Sequence, residues 1–401
     1  MPFHFSQYSS LLLFGFLQGI IYAVLLLYGG YKRDRLSDKL LALVLLDCAF
    51  AVAQYMLGFG GWYDSRDGYS TFMFYFPFHN FLLLGPFIYF YFRSLTNHQF
   101  QFQRRDWWHF VPGGINLLAY FVAFAGDLLL SHWLLGEPLP NHFGTQGQLS
   151  SIRQQSWDSI AQVAGLISTL AYIILTIREF GQYKQYIYNN FAETEGIEFG
   201  WLRMVLWAFI IGMGINWLFD FLQLFIPLNY AQNWNSFFVT AIMIYFISIP
   251  GYTASHKIPS LDFSPEAQQQ NALQPKTNAV EDFPALEHWK SQVEYMMQEE
   301  KVYLDPNITL TSLAKKLKTN PSVLSKVINT GFKKNFNDFI NQYRVEDVQA
   351  KIKRGKHQHF TLMSIAFDSG FNSKSTFNRA FKKFAGMSPK QFLDQQLNEL
   401  E

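Results

Sequence analysis

Cysteine is almost absent. Cys48 is the one cysteine in 401 residues, so neither a disulfide framework nor a thiolate metal site can form within the chain. It sits inside an apolar run, where it reads as a small buried hydrophobe. Charge is scarce, at 15% of residues. The signatures of common catalytic machinery are missing: there is no HExxH, GxSxG, Walker loop or GxGxxG. The ten histidines are scattered, with His357 and His359 in a loop beside basic residues. Glu193, Glu195 and Glu198 read as a solvated acidic run rather than paired catalytic carboxylates. No catalytic residue, metal site or cofactor is expected, and the chain reads as a non-enzyme.

What is abundant is apolar and unevenly placed. Seven apolar runs fall at roughly 10–29, 39–58, 72–92, 108–130, 157–177, 203–225 and 232–249. Each approaches or reaches the about 20 residues that cross about 30 Å of hydrocarbon. Ten basic residues lie in one set of loops: Lys32, Arg33, Arg35, Lys39, Arg93, Arg104, Arg105, Arg178, Lys184 and Arg203. The opposite loops hold two, Arg66 and Arg153. That asymmetry predicts an N-terminus outside and everything beyond residue 250 in the cytoplasm. Trp107, Trp108, Trp133, Trp201 and Trp234 stand at run edges, as interfacial belts do.

Polar residues within spans are costly and mark functional candidates. Gln54, His79, Asn80, Asp127, Gln162, Asn216, Asp220 and Gln223 fall toward the outer half of their runs, with Asp47 the inner exception. An outward-opening cavity for a small periplasmic or membrane-borne signal accounts for this bias. Its ligand-binding candidates are His79, Asn80, Asp127, Asn216 and Asp220. Ordinary interhelical hydrogen bonding, worth about 0.6 kcal/mol each, is the competing account.

The composition changes near residue 250. Residues 1–250 hold 12 Lys+Arg and 14 Asp+Glu, whereas residues 301–390 hold 17 and 5, a net +12. A basic balance confined to one block implies an anionic partner for it. Between the two lies "KIPSLDFSPEAQQQNALQPKTNAVED", with three prolines and a Gln run, which reads as a flexible linker over 251–282.

The basic block contains a repeat. "LAKKLKTNPSVLSKVI" (313–328) and "IAFDSGFNSKSTFNRAF" (365–381) each run apolar–Ala, short turn, cap, then a helix with large apolar residues four apart. Ala314 and Ala366 are small where two helices must cross closely. Gly370 suits a left-handed helix end. Asn320 before Pro321, and Ser373, are N-caps. Two helices joined by such a turn form a helix-turn-helix, whose second helix enters the DNA major groove. Between the copies, Phe336, Phe339, Ile340, Tyr343, Val348 and Ile352 predict one long bridging helix.

On the first recognition helix Leu324 and Ile328 face inward. Ser322, Ser325, Lys326 and Asn329 face out. On the second, Phe377, Phe381 and Phe384 face inward. Lys374, Ser375, Thr376, Asn378, Arg379 and Lys382 face out, where Asn and Arg suit readout of adenine and guanine edges. Lys382 and Lys383 fit phosphate contacts.

Residues 286–393 resemble the DNA-binding domain of AraC-type bacterial transcription regulators, through "YLDPNITLTSLAKKL", "NFNDFINQYRVEDVQ" and "SIAFDSGFNSKSTFNRAFKKFAGMSPKQF". The resemblance implies base contacts at Ser322, Ser325, Lys326, Lys374, Ser375, Thr376, Asn378 and Arg379. The front half is similar to the seven-helix membrane domains of some such regulators, best at "LLLGPFIYFYFRSL" (82–95). Lys318 departs from the family, whose first turn usually has glycine there. The sugar-binding domain of the best-known members is absent, so sugar sensing is not implied.

The expectation is an all-α chain: a seven-helix transmembrane sensor over 1–250, a linker over 251–282 and a double helix-turn-helix over 283–401. It would sit in a bacterial inner membrane and bind double-stranded DNA. RNA polymerase and a second copy of the chain are further partners that fit such a regulator. The rival is a receptor or transporter-like protein whose basic tail docks on anionic lipid or a protein partner. A lipid-docking tail needs charge, but no caps, no repeat and no buried apolar spacing.

Overall fold

The protein is seen here as a computed structural model that describes residues 3–97, 100–194, 200–223, 225–226, 229–255 and 283–398. Among the described residues the architecture is helical. There is no strand, and two isolated bridges pair Asn141 with Gln146 and Phe191 with Thr309. The chain divides into two compact units. One comprises residues 1–179 and 199–262, the other 180–198 and 263–401.

The first unit is built from α1 (Gln7–Lys32), α2 (Leu36–Phe59), α3 (Gly68–Tyr75), α4 (Phe81–Thr96), α5 (Val111–Phe124), α6 (Gln148–Ile152), the first part of α7 (Asp158–Asn190), α8 (Gly200–Gln223) and α9 (Tyr230–Ser255). Among the described residues, five helical stretches are long and apolar enough to cross a membrane: Gln7–Lys32, Leu36–Phe59, Arg104–Leu134, Gln148–Asn190 and Tyr230–Thr253. Phe81–Thr96 is apolar but shorter, and Arg203–Phe219 is an apolar stretch within the 24-residue α8.

Among the described residues, five of the seven expected runs lie in stretches long and apolar enough to cross, the third falls on the short α3 and α4, and the sixth on α8. The third run is interrupted by Pro77. Proline disfavours helix in the residue before it, and Phe76 is extended at φ −77°, ψ 128°. Helix resumes at Phe81 and carries Pro86 within it.

Small residues let these helices approach closely. A Cβ on Gly15 would come 2.4 Å from the Cβ of Ala241, and one on Gly19 would come 2.8 Å from that of Ala49. Gly15 and Gly19 lie one turn apart on α1, the spacing that permits close helix contact in lipid. The predicted linker begins inside α9, which runs to Ser255. Residues 256–282 lie outside the described ones.

The second unit contains the end of α7, then α10 (Phe283–Gln298), α11 (Leu310–Lys316), α12 (Pro321–Gly331), α13 (Phe336–Lys353), α14 (Leu362–Asp368), α15 (Lys374–Ala385) and α16 (Pro389–Asn398). It has two cores. Leu313, Ala314, Leu324, Val327 and Ile328 fill the first with Phe336, Phe339 and Ile340. Ile365, Ala366, Phe377 and Phe381 fill the second with Val345, Val348 and Ile352. The predicted bridging helix is α13, and its two halves serve the two cores.

Candidate nucleic-acid interface

Each copy of the repeat is a helix, a tight turn and a second helix, closed by the same bonds. The amide of Thr319 donates to the carbonyl of Ala314 at 2.9 Å, and that of Phe371 to Ala366 at 3.1 Å. These six-to-one bonds satisfy carbonyls left open at a helix end. The turn residue is left-handed in both copies, Lys318 at φ 54° and Gly370 at φ 93°.

The second helix of each pair is capped as its sequence requires. Asn320 Oδ1 accepts from the Ser322 amide at 2.8 Å, and Ser373 Oγ accepts from the Thr376 amide at 3.2 Å. The first helices are capped by Thr309 and Thr361, through the amides of Ser312 and Ser364, both at 3.1 Å.

Arg344 pins the two modules together. Its side chain is fully buried. Nε donates to the Tyr303 carbonyl at 2.8 Å, Nη2 to the Asp305 carbonyl at 2.8 Å, and Nη1 to Asn341 Oδ1 at 3.3 Å. Burial lowers its pKa to about 10, opposed by the fields of Glu193 and Asp305. Gly370 lies against this group: a Cβ there would meet the Tyr303 carbonyl oxygen at 2.3 Å and Arg344 Nε at 3.0 Å. Sequence reasoning missed Arg344. The signal was its place in the series 336, 340, 344, 348, 352, one apolar position every four residues with an arginine in the middle.

The predicted contact residues lie mostly on open faces. Ser322, Lys374, Ser375, Asn378, Arg379, Lys382 and Lys383 are exposed, and Ser325 and Lys326 half-buried. Two of the basic side chains are engaged. Lys383 Nζ pairs with the Asp338 carboxylate at 2.6 and 2.7 Å, and Arg379 Nη2 donates to Thr194 Oγ1 at 3.0 Å. Thr376 stands apart: it is 1% exposed, and its hydroxyl donates to Glu193 Oε1 at 2.6 Å.

The ligand candidates in the first unit separate. His79 and Asn216 line one cavity of about 250 Å³ together with Asp47, Gln54, Gln162 and Thr240. His79 Nδ1 lies 3.1 Å from Gln54 Oε1, and Asn216 Nδ2 donates to Thr240 Oγ1 at 3.3 Å. Asn80 is buried beside them. Its backbone amide donates to Asp47 Oδ1 and its side-chain amide to the Gly113 carbonyl, both at 2.9 Å.

Asp127 lies elsewhere. It is buried and accepts from the Tyr75 hydroxyl at 2.9 Å and from the amides of Leu149 and Ser150 at 3.0 and 2.8 Å. Those three donors fix the chain at the start of α6. The side chain of Asp220 lies outside the described ones. Among the described residues no group of His, Cys, Asp and Glu could hold a metal ion.

Residues 313–395 match the family model described as a helix-turn-helix domain, of AraC type. The match covers both helix-turn-helix pairs and supports a DNA-binding transcription regulator. No curated protein matches the chain. Among solved structures, a protein of unknown function from Listeria innocua is similar over 26% of this chain and 94% of its own, at 23% identity and a TM-score of 0.23. That likeness is too slight to carry an argument.

Proposed function

We propose that the chain is a membrane-embedded one-component transcription regulator of the bacterial inner membrane. The DNA-binding unit faces the cytoplasm and is controlled by a signal received among the apolar helices. The observation that carries this is the pairing, in one chain, of a complete tandem helix-turn-helix with apolar stretches long enough to span a bilayer. The short helix Phe81–Thr96 and α8, whose apolar stretch is Arg203–Phe219, complete a seven-span reading. Sixteen residues of helix rise about 24 Å, so a short span is accommodated by local thinning of the bilayer.

The recognition helices would enter successive major-groove segments about 34 Å apart. Lys374, Ser375, Asn378 and Arg379 would specify bases on the second site, and Ser322, Ser325 and Lys326 would mainly position the first. The polar cavity at Asp47, His79 and Asn216 supplies the signal site. It offers a carboxylate beside the rings of Tyr55, Trp217 and Phe237, which suits a small ligand with a hydrogen-bond donor or an amine. Asp127 and Asn80 hold the surrounding chain.

The test uses the whole chain in nanodiscs, incubated with labelled DNA from upstream of its own gene and with scrambled competitor. Retention of the specific fragment at a large excess of competitor supports the reading. Binding that follows only the anionic lipid content of added vesicles, with no preference among DNA sequences, would support the lipid-docking tail instead.

A further inference from the structure

The second recognition helix is already occupied by another part of the chain. Phe180–Thr194, which follows the apolar part of α7, packs within the second unit rather than the first. Its anchor is Ala192, fully buried in the core of the first module. Asn337 Nδ2 donates to the carbonyls of Phe191 and Ala192 at 3.1 and 2.7 Å, and Asn341 Nδ2 donates to Ala192 at 3.1 Å. Phe191 also bridges to Thr309 beside the first helix-turn-helix.

Held this way, the next two residues reach α15. Glu193 takes the Thr376 hydroxyl at 2.6 Å, and Thr194, itself fully buried, takes Arg379 Nη2 at 3.0 Å. The Arg379 guanidinium also lies 5.9 Å from the ring of Tyr188, near the end of α7. A carboxylate set beside the first turn of a basic recognition helix takes ground that an anionic DNA phosphate would take.

We propose that Phe191–Thr194 is an internal competitor for DNA: it covers Thr376 and engages Arg379 when no DNA is bound, and it must leave the second recognition helix before that helix reads a site. This rests on the DNA-binding reading above. It adds a route for control, because α7 also carries Gln162, Leu166 and Thr169 of the polar cavity. One continuous helix thus contributes to the signal site and leads directly into the competitor. A ligand that favours one arrangement of α7 would bias the strap toward or away from α15.

The experiment uses the full chain in nanodiscs, with Cys48→Ser as background, and two measurements. The first is affinity for the specific DNA fragment. Asn337→Ala removes the strap's anchor without changing charge and should tighten binding at least threefold. Glu193→Ala should do the same. Glu193→Gln, which keeps an acceptor for Thr376, should fall between wild type and Glu193→Ala.

The second is maleimide labelling of Thr194→Cys, which should be slow without DNA and at least fivefold faster at saturating specific DNA. Should wild type bind specific DNA while Asn337→Ala leaves affinity unchanged and the introduced thiol stays protected on the complex, the competitor is overturned and the DNA-binding reading stands. Should wild type show no specific binding, it is that reading which fails. The labelling result decides even if Asn337→Ala does not fold.

Discussion

Lys318 and Gly370 occupy the same place in two successive turns, both left-handed, at φ 54° and 93°. For a residue with a Cβ this conformation costs roughly 1–2 kcal/mol, while glycine adds about 0.5–1 kcal/mol of unfolded-state freedom. Lys318→Gly should therefore stabilise the DNA-binding unit, by about 0.5–1 kcal/mol. Gly370→Ala should do the reverse, and more strongly, because the new methyl would press on the Tyr303 carbonyl and Arg344. A loss of about 2 kcal/mol or more is expected. Thermal melts of the full chain in detergent carrying each change, followed by circular dichroism, check both signs. A lower midpoint for Lys318→Gly would mean that the lysine side chain contributes more than its backbone strain costs.

Arg344 makes a second prediction. Replacing it with Met keeps the volume but leaves the Tyr303 and Asp305 carbonyls and Asn341 Oδ1 without their donor. Buried groups left unpaired cost about 1–3 kcal/mol each, so the unit should lose about 3 kcal/mol or more. Arg344→Lys should recover only part of this, since one ammonium cannot reproduce the planar fork. Urea titration of the same full chain measures the difference. Equal midpoints for Arg344→Met and wild type would show that the pin contributes nothing net.

What the sequence made legible was local. Caps at Asn320 and Ser373, small residues at 314 and 366, and apolar residues four apart are all set within one or two turns, and the structure has each in its expected place. Lysine itself does not advertise the left-handed turn at 318, which only the resemblance, with glycine usual at that place, pointed to. Pro77 did announce the break in the third apolar run, but its average hydropathy concealed that. The contacts of Asp127 were out of reach, since Tyr75 lies 52 residues away and the other donors are backbone amides. The Glu193–Thr376 contact spans 183 residues and leaves no periodic trace at all.

Base and phosphate contacts should part company on α15. Asn378 is exposed and suits an adenine edge. Asn378→Ala is expected to cost about 1–3 kcal/mol of specific binding and relax preference at one base pair. Lys382→Ala should weaken all sequences alike and reduce the salt slope by about 0.9, the value for one phosphate. Lys383→Ala should do less, since its ammonium is paired with Asp338 and must first be released. Anisotropy titrations across a salt series, on specific and random duplexes, separate the three. Equal weakening of both duplexes by Asn378→Ala would remove it from base readout.

Buried Asp127 and half-buried Asp47, both in the apolar unit, should behave differently. Asp127 is surrounded by three donors and holds the start of α6. Asp127→Asn replaces one of two accepting oxygens with an NH2 that cannot accept, and should lower the amount of protein in the membrane, with induction of whatever remains unchanged. Among the described residues Asp47 accepts from the Asn80 amide, and it lines the cavity with His79 and Asn216. Asp47→Asn should keep normal protein levels and shift the half-inducing signal at least tenfold, about 1.4 kcal/mol of ligand affinity. His79→Gln and Asn216→Ala should move the response the same way by smaller amounts, because each supplies one polar contact. A ligand changes output only by preferring one helix arrangement over another, so the shift should appear at constant protein level. The measurement is a reporter fused to the bound promoter, titrated with culture extract fractions, with membrane levels fixed by blot. Unaltered induction in Asp47→Asn, His79→Gln and Asn216→Ala alike would take the signal out of this cavity and leave its polar lining as hydrogen bonding between helices.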